Sequence, residues 1–389
     1  MIAFGTYDAA RHPRIAVLVA GLRAHGTKVT ELNRPLGLTT AERVRMLQQP
    51  WRLPVLAGRL LRRWAGLVGD AVRLRRADGR PGAVLVGYLG HFDVILARLL
   101  YPRSVVVLDH LVFAGDTAAD RGAAGLRVRL LSGLDRLAVA CADVVVTDTE
   151  EHRLMLPDPD KGVVVLVGAP DAWRTAASSA PLVEPVETPV VEPVETRVST
   201  SSTSDGPTSA ELSVVFFGLY TPLQGAPVIA EAVRDAVAAG APLRVTMAGA
   251  GQDLPRTREI LARTPGVTWH DWVEPDELPA LVAGHQVCLG IFSDTPKGLR
   301  VVPNKVYQGL AAGCVVITSD TPPQRRAVGE SVELVPAADP KALAARLAEL
   351  CDPAALAAAR ERAARGRDRI RPQVVTEPLA AELRRRGVL

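Results

Sequence analysis

Cysteine is scarce in this sequence, and its four cysteines are far apart. Cys141, Cys288, Cys314 and Cys351 form no CxxC pair and show no other spacing typical of metal ligands. Free cysteine behaves as a small hydrophobic residue and is often buried. We therefore interpret all four as core residues and predict that the protein has no metal site.

The sequence also lacks a long apolar run of the kind that spans a membrane. The nearest approach is the uncharged stretch 212–230, which Gly, Pro, Ser, Thr and Gln interrupt. At the start of the chain, Asp8 and Arg11 precede any apolar segment of a signal peptide. We therefore expect a cytoplasmic protein.

Lysine is the rarest of the common charged residues, with five lysines against 41 arginines. The formal net charge is only +4, which is too small to indicate a nucleic-acid partner for the whole chain. Because codon bias can produce many arginines, arginine clusters here carry little weight. Lys297 and Lys305 carry more, since two of the five lysines lie within nine residues of each other.

Short apolar runs alternate with helical patterns in both halves of the 389-residue chain. The runs cover 28–32, 83–87, 104–108, 143–147 and 163–167 in the first half, and 213–217, 244–248, 286–291, 315–318 and 332–334 in the second. Such alternation is typical of parallel sheets covered by helices on both faces. We predict an α/β fold with two doubly wound domains that face each other across a ligand-binding cleft.

The two halves are separated by a segment that is rich in Pro, Ser and Thr. Residues 176–210 contain the hexamer VEPVET twice, at 183–188 and 191–196, followed by a Ser/Thr tract. Because this composition offers little apolar surface to offset chain entropy, we predict a disordered linker. A regulatory or partner-binding role for the segment remains the alternative.

The segment 290–320, GIFSDTPKGLRVVPNKVYQGLAAGCVVITSD, predicts an anion site. A strand ends near residue 291, and a helix begins at Pro303 or Asn304 and ends before Gly313. Lys297, Arg300 and Lys305 surround the start of this helix, where free backbone N–H groups and the helix dipole attract anions. We expect the Lys305 side chain to be covered by solvent when no ligand is bound. The alternative is a solvated basic loop.

Two glycine-containing turns precede this segment. In FFGLYTPLQGA, at 216–226, Gly218 and Gly225 allow a ligand to approach the backbone closely. In AGAGQD, at 248–253, Gly249 and Gly251 are followed by Leu254 where a GxGxxG motif requires its third glycine. The sequence therefore disfavours a dinucleotide-dependent oxidoreductase.

The second half resembles the donor-binding domain of GT-B glycosyltransferases, in particular family 4 (glycosyl transferases group 1). The resemblance is carried by FFGLYTPLQG, AGAGQDL, VTWHDWVEPDELPALVAGHQVCLG and PNKVYQGLAAGCVVITSDTPPQRRAV. The first half is more weakly similar to the acceptor domain, through FGTYDAARHPRIAVLVAGLRAHGTKV, VLVGYLGHFDVILARLL, VVVLDHLVFAGDT and CADVVVTDTEEH. The resemblance covers nearly the whole chain outside 176–210.

This resemblance implies a glycosyltransferase that moves a sugar from a nucleotide-diphosphate donor to a glycan, lipid-linked or cell-envelope acceptor. It implies retention of configuration, and we expect no metal and no cofactor besides the donor. The implied domains are an acceptor-binding domain at 1–170, the insert at 171–210, a donor-binding domain at 211–370, and a C-terminal helix at 371–389 that returns to the first domain.

The resemblance also implies the residues of the site. Lys297, Arg300 and Lys305 would stabilise the leaving diphosphate, and Asp109 and His110 are weaker catalytic candidates. The donor-binding candidates are Gly218, Thr221, Gln224, Gly225, Gly249, Gly251, Val273, Asn304 and Gln308. The acceptor-binding candidates are Gly5, Tyr7, Asp8 and Arg11. The alternative for His110 is a histidine satisfied within the core or at the surface.

The sequence departs from the family pattern at two places. The EX7E pair of the family would fall on Arg300 and Gln308, so neither acidic residue is present. The arginine and lysine that many members carry in the first donor-domain loop are also absent, and Tyr220 and Gln224 occupy that neighbourhood. The alternative function is therefore a non-catalytic protein that binds nucleotide sugars and serves as the partner of another enzyme.

The stretch 43–80 is strongly basic and contains tryptophan and leucine at helical spacing. Basic amphipathic helices with tryptophan favour anionic membrane surfaces, so we expect a peripheral location at the inner face of the membrane. The alternative is a helix packed on its own sheet with arginines in water. No nucleic-acid-binding module accompanies the charge, so we predict no nucleic-acid partner.

Overall fold

The computed structural model describes residues 1–8, 13–37, 53–120, 124–179 and 211–389. Arg11, residues 43–52 of the basic stretch and both VEPVET hexamers lie outside these ranges. Within the described ranges, no helix is both long enough and apolar enough to cross a membrane.

The first domain contains a six-stranded parallel sheet in the order β2-β1-β3-β4-β5-β6. Its strands are β1 (Ile2–Gly5), β2 (Thr30–Asn33), β3 (Ala83–Val86), β4 (Val105–Asp109), β5 (Val144–Thr147) and β6 (Gly162–Val164). Its helices are α1 (Arg14–Ala24), α2 (Leu53–Asp78), α3 (Asp93–Leu100), α4 (Ala114–Asp120), α5 (Leu126–Cys141) and α6 (Glu150–Leu154). All five runs predicted as strands in this half contain or overlap a strand of the sheet.

The second domain repeats this plan with the order β12-β11-β10-β7-β8-β9. Helix α7 (Asp171–Ser179) precedes its strands, which are β7 (Leu212–Phe217), β8 (Leu243–Ala248), β9 (Val267–His270), β10 (Val287–Leu289), β11 (Val315–Ser319) and β12 (Glu333–Val335). Its helices are α8 (Ala226–Ala238), α9 (Leu254–Leu261), α10 (Leu278–Ala283), α11 (Asn304–Ala311), α12 (Pro322–Val328), α13 (Pro340–Glu349) and α14 (Pro353–Arg367), and α15 (Pro372–Arg385) ends the chain.

Each sheet is buried on both faces, as the continuous apolar strands predict. In β4, Val106 and Leu108 pack into one core cluster, and Val107 points to the cluster on the opposite face. Because both faces are covered by helices, a strand needs apolar side chains at every position. The predicted α/β class with two doubly wound parallel-sheet domains is confirmed.

Helix α15 packs on the first domain. Its residues Leu379 and Leu383 share a core cluster with Leu18 of α1. The two helices approach closely at Gly21, where an added Cβ would lie 2.1 Å from Thr376 Oγ1. The end of the chain therefore forms part of the first domain's core.

The linker predicted at 171–210 does not begin at its predicted boundary. Residues 171–179 form helix α7, and Trp173 is buried and stacks on Phe217 with ring centroids 5.8 Å apart. The composition of the whole segment conceals this anchor, because a single tryptophan is its only sign in the sequence. Residues 180–210 are outside the described ranges.

The cysteines are only partly as predicted. Cys288 and Cys314 are buried, whereas Cys141 and Cys351 are half-buried at the edges of the core. All four are free thiols.

Candidate functional site

A cleft of about 800 Å³ lies between the two domains. It is lined by residues that follow the carboxyl ends of strands in both sheets, which is where doubly wound folds bind ligands. Its polar lining consists of Thr6, Arg14, Tyr88, His91, Asp93, Thr117, Arg127, Asp148, His152, Gln224, Lys297, Asn304, Lys305 and Gln308.

Lys305 is the most unusual side chain of the cleft. It lies in the first turn of α11, is only 5% exposed, and its Nζ has no hydrogen-bond partner. The ammonium group lies 3.8 Å from the centroid of the Phe216 ring at the end of β7. Burial lowers the pKa of Lys305 to about 7. The expectation that solvent covers this side chain is therefore wrong, because the end of β7 encloses it.

The loop after β7 passes directly over this ammonium group. Gly218 has a φ of +130°, and an added Cβ there would lie 3.4 Å from Lys305 Nζ. A side chain at this position would stand between the lysine and the space above it, and the backbone conformation itself favours glycine. Glycine at 218 thus lets the loop lie close to the buried cation, beside the wall of the cleft.

The other two predicted cations bind the first domain. Lys297 lines the cleft and donates a hydrogen bond of 2.8 Å to Thr117 Oγ1. Arg300 does not line the cleft; its guanidinium forms an ion pair with Asp116 at 2.7 Å and contacts Met155 Sδ at 3.2 Å. The three cations predicted as one phosphate site are therefore divided between the cleft and a contact between the domains.

The predicted donor-binding residues also separate into two groups. Gly218, Gln224, Asn304 and Gln308 line the cleft, whereas Thr221, Gly225, Gly249, Gly251 and Val273 do not.

Gly249 and Gly251 serve the packing of two loops. An added Cβ would lie 1.9 Å from Gly218 O in the first case and 2.4 Å from Tyr220 O in the second. Gly225 is left-handed at the start of α8, and a Cβ there would lie 2.7 Å from the carbonyl carbon of Phe292. These glycines position the loop that carries Gly218, since only glycine allows the backbones to come so close.

The predicted acceptor residues lie beside the cleft rather than in its wall. Tyr7 is buried, and its hydroxyl group lies 3.5 Å from Glu31 Oε2; burial raises the pKa of Tyr7 well above its usual value. Gly5 and Asp8 do not line the cleft, and Arg11 is outside the described ranges. Among the described residues of this loop, Thr6 and Pro13 line the cleft, and neither is among the residues predicted from the sequence.

Asp109 forms a buried ion pair with Arg14 in the first domain. Its carboxylate lies 3.3 Å from Nε of the buried Arg14, whose guanidinium also donates to Val165 O and Leu166 O. Burial raises the pKa of Asp109, although Arg14 opposes this effect. Asp109 does not line the cleft, whereas Arg14 does. Arg14 was missed because arginine is too abundant here for one of its members to stand out.

His110 belongs to a buried cluster with His91 and Asp135. His91 Nε2 lies 3.0 Å from Asp135 Oδ1, and the two histidine rings are 5.1 Å apart. His110 Nε2 has no hydrogen-bond partner, and burial together with neighbouring His91 lowers the pKa of His110 to about 3. His110 is therefore neutral, and of the three residues only His91 lines the cleft.

This cluster is the one group of three potential metal ligands among the described residues, with ligand atoms within 4.8 Å of one another. Both Asp135 oxygens, however, already accept backbone hydrogen bonds from Ala114 and Gly115. These hydrogen bonds and the one from His91 lower the pKa of Asp135, although burial opposes them. The arrangement is that of an internal hydrogen-bond network that fixes His91 at the cleft.

A second histidine–carboxylate pair lines the cleft after β5. His152 Nδ1 lies 2.5 Å from Asp148 Oδ1, and both side chains are buried in the wall. The nearby Thr149 accepts a hydrogen bond from His152 N and donates one to Arg300 O in the other domain. A DTEEH tract after a strand could have indicated this pair, because its Asp and His are four residues apart.

The second domain matches a known protein family. A family model described as "Glycosyl transferases group 1" matches residues 211–352. No curated protein sequence matches the chain.

Solved structures that share the fold include the following three. HepE from Anabaena, solved in complex with UDP, superposes with a TM-score of 0.59 at 12% identity over 99% of this chain and 98% of that chain. A UDP-forming α,α-trehalose-phosphate synthase from Burkholderia vietnamiensis gives 0.57 at 16% identity, over 85% and 76% of the two chains. Sucrose-phosphate synthase from Thermosynechococcus elongatus gives 0.56 at 15% identity, over 85% and 79%.

Two parallel six-stranded sheets that face each other across a cleft are the GT-B fold. The chain is a glycosyltransferase of this fold, and its second domain carries the glycosyl transferases group 1 match. The resemblance to a GT-B glycosyltransferase and the prediction of an enzyme are both confirmed.

Proposed function

We propose that the protein transfers a sugar from a nucleoside-diphosphate donor to an acceptor hydroxyl group, as a retaining and metal-independent member of family 4. One observation carries the proposal. The buried Lys305 ammonium has no partner of its own and lies next to the cleft, below the backbone of Gly218.

An unpaired buried cation destabilises a fold, and such a group is retained when a ligand supplies its counter-charge. A diphosphate bound over Gly218 meets the Lys305 ammonium and the free N–H groups at the start of α11. Lys297 adds a second cation to the same wall. The structural relative HepE has been solved with UDP and with UDP-glucose, which supports a nucleotide sugar as the donor.

In the proposed reaction, the bond between the anomeric carbon and the β-phosphate oxygen breaks, and the bond to the acceptor oxygen forms. Negative charge develops on the departing diphosphate, where Lys305 and Lys297 stabilise it without a metal ion. The acceptor proton passes to the leaving phosphate when attack occurs from the same face of the sugar. Retention follows from that geometry, and the family resemblance is its support.

The nucleoside end of the donor extends along α11. Asn304 and Gln308 line the cleft four residues apart, so both face the same side of this helix. Gln308 stands where the family has its second glutamate, and its amide is suited to hydrogen bonds with ribose hydroxyl groups. The donor base, the sugar and the acceptor are open in this proposal.

We further propose that α2 contacts an anionic membrane from the cytoplasmic side. Arg59, Arg62 and Arg63 are exposed on this helix, whereas Leu67 is fully buried. One face thus anchors the helix to the domain and leaves the cations free for lipid phosphates. The acceptor would then be a glycan or lipid-linked molecule presented at the membrane.

The experiment that tests the donor site compares Lys305→Met with Lys341→Met. Lys341 is exposed on α13, so the control removes the same charge far from the cleft chemistry. The wild type should be stabilised by one class of nucleoside diphosphate in a thermal-shift screen, by about 2.7 kcal/mol at 100 times the dissociation constant. Lys305→Met should lose this stabilisation, and Lys341→Met should keep it.

Transfer to an acceptor, or slow donor hydrolysis, is then measured in both variants. Turnover that falls with Lys305→Met supports the transferase. Tight binding of a nucleotide sugar with no turnover in any variant or with any acceptor tested would favour the alternative of a non-catalytic binding partner. Equal nucleotide binding by Lys305→Met and the wild type would remove the proposed donor site.

A further inference from the structure

The first-domain wall of the cleft contains an apolar section. Leu56 and Leu60 of α2 face the cleft and pack on Leu36, and Leu131 and Leu134 of α5 also face it. Saccharides carry a hydroxyl group on most ring carbons, and burying these groups against leucine side chains leaves them without hydrogen-bond partners. This section of the wall therefore fits a hydrocarbon better than a sugar.

The same apolar surface continues outside the cleft along α5. Leu126, Leu130 and Leu137 are 72%, 66% and 50% exposed. Together with Leu134 they lie at spacings of three and four residues, which places them in one stripe along the helix. Contiguous exposed apolar surface of this kind marks an interaction site. We call the surface formed by Leu56, Leu60, Leu131 and Leu134, continued by Leu126 and Leu130, the alkyl groove.

The two helix segments that carry the alkyl groove have only positive charges. The sequence has no Asp or Glu from 53 to 69 or from 126 to 134. Arg59, Arg62 and Arg63 are exposed on α2, and Arg127 is exposed on α5 and also lines the cleft. A hydrocarbon that carries a phosphate group complements both the leucine stripe and these guanidinium groups.

We infer that the alkyl groove binds the hydrocarbon chain of a phosphorylated lipid, which is the acceptor of the transferred sugar. This inference rests on the proposed function, because it names the acceptor class of the same cleft. The polar end of the acceptor lies beside the donor sugar, its phosphate lies near Arg127, and its chain leaves the cleft along α5. A membrane in contact with the arginines of α2 would receive that chain.

The probes for the test are hexyl phosphate and decyl phosphate, each used below its critical micelle concentration. Their binding to the full-length protein is measured by calorimetry, with and without UDP. Each buried methylene strengthens binding about fourfold, so decyl phosphate should bind at least tenfold more tightly than hexyl phosphate. Equal affinities for the two chain lengths would overturn the inference.

Two leucine variants locate the binding surface. Leu130 and Leu154 are 66% and 61% exposed, but only Leu130 belongs to the alkyl groove. Leu130→Gln should weaken decyl phosphate binding about fivefold, and Leu154→Gln should leave it unchanged. Because both side chains are exposed, neither substitution should prevent folding. Unchanged binding in Leu130→Gln, or equal losses in the two variants, would place the chain elsewhere.

Arg127→Gln tests the phosphate. It should weaken hexyl and decyl phosphate by the same factor, because the head group is common to both. Decyl maltoside, which has the chain without the phosphate, should be insensitive to this substitution. A loss with decyl maltoside equal to that with decyl phosphate would contradict a phosphate contact at Arg127.

The UDP arm separates this inference from the proposed function. If UDP binds and the chain length has no effect, the donor site stands and the lipid acceptor is wrong. If neither UDP nor any other nucleoside diphosphate binds and decyl phosphate still prefers the leucine stripe, the alkyl groove stands and the proposed donor site is wrong. With UDP present, alkyl phosphate cannot occupy the diphosphate site at Lys305, so the measured binding belongs to the groove.

Discussion

The ammonium group of Lys305 lies 3.8 Å from the centroid of the Phe216 ring and has no hydrogen-bond acceptor. The ring attracts the cation, but this attraction contributes only about 2 kcal/mol even in a desolvated site. Burial outweighs it, which is why the pKa of Lys305 falls to about 7. The folded protein therefore contains an energetically unfavourable buried ammonium group at the point where the donor's diphosphate is proposed to bind.

Replacing this lysine should stabilise the free protein. The pKa of Lys305 is lower in the folded state than in the unfolded state, so the unfolded chain binds more protons between about pH 7 and 10.5, and wild-type stability rises with pH in that window. Lys305→Met removes this dependence. The variant should have a larger unfolding free energy than the wild type, and this difference should shrink by about 2–3 kcal/mol between pH 6.5 and 9.5. Urea unfolding at both pH values checks this, and Lys341→Met should show a constant difference.

Donor affinity should depend on pH in the opposite sense. A diphosphate prefers the charged lysine, so nucleoside-diphosphate binding should be strongest below about pH 7 and weaken as the pH rises above it. Above pH 7 binding takes up a proton, which calorimetry detects in buffers of different ionisation enthalpy. Proton uptake that persists in Lys305→Met would assign this dependence to another group.

Gln308→Glu should strengthen binding of the ribose. Gln308 lines the cleft on α11, and a carboxylate accepts stronger hydrogen bonds from hydroxyl groups than an amide does. The nucleoside of the diphosphate that the thermal-shift screen selects has no phosphate to repel the new charge, and it should bind about fivefold more tightly. The control is Gln373→Glu at an exposed position of α15, which changes the net charge equally and should not alter the affinity for the nucleoside. Weaker or unchanged binding in Gln308→Glu would mean that this position does not face the ribose.

Arg300 and Asp116 should couple the two domains energetically. Their side chains are about a quarter exposed and form an ion pair at 2.7 Å. A double-mutant cycle of Arg300→Gln and Asp116→Asn should give a coupling energy of about 1 kcal/mol in unfolding experiments. Since Arg300 does not line the cleft, its loss should reduce nucleotide affinity much less than the loss of Lys305. A tenfold or greater loss of nucleotide affinity in Arg300→Gln would show that this residue does belong to the phosphate site.

Trp173 should anchor α7 to the second domain. The side chain is 5% exposed and stacks on Phe217, so Trp173→Ala should destabilise the protein by about 3–5 kcal/mol. The control is Trp272→Ala, because Trp272 is 68% exposed and its loss should change stability by less than about 0.5 kcal/mol. Equal small effects of the two substitutions, measured by urea unfolding, would make α7 part of the predicted linker after all.

Membrane contact should depend on the arginines of α2. Sedimentation with anionic liposomes should capture the wild type, and Arg59, Arg62 and Arg63 replaced together by Gln should reduce the captured fraction. The matched control replaces exposed Arg263, Arg360 and Arg365, which are all in the second domain. Salt should weaken the binding, because the interaction is electrostatic. Equal capture by neutral liposomes, or equal loss in both triple variants, would contradict the proposal.

Several features of the fold follow from the sequence. The apolar runs around Val107 and Val215 are continuous rather than alternating, so they require a sheet covered on both faces. Proline at 303 and glycine at 313 bound helix α11 nearly where predicted, since Pro303 precedes its first residue and Gly313 follows with a φ of +88°. These features are local, and local chemistry determines them.

The composition of the site depended on contacts between residues far apart in the chain. Lys297, Arg300 and Lys305 are neighbours in sequence, yet Lys305 is buried under β7, and the other two bond to Thr117 and Asp116 of the other domain. Spacing along the chain cannot reveal this, because the partners come from 180 and 184 positions away. The sequence determined two parallel sheets and a cation-bearing helix start. Only the packing of the domains decided which cation is left without a partner at the cleft.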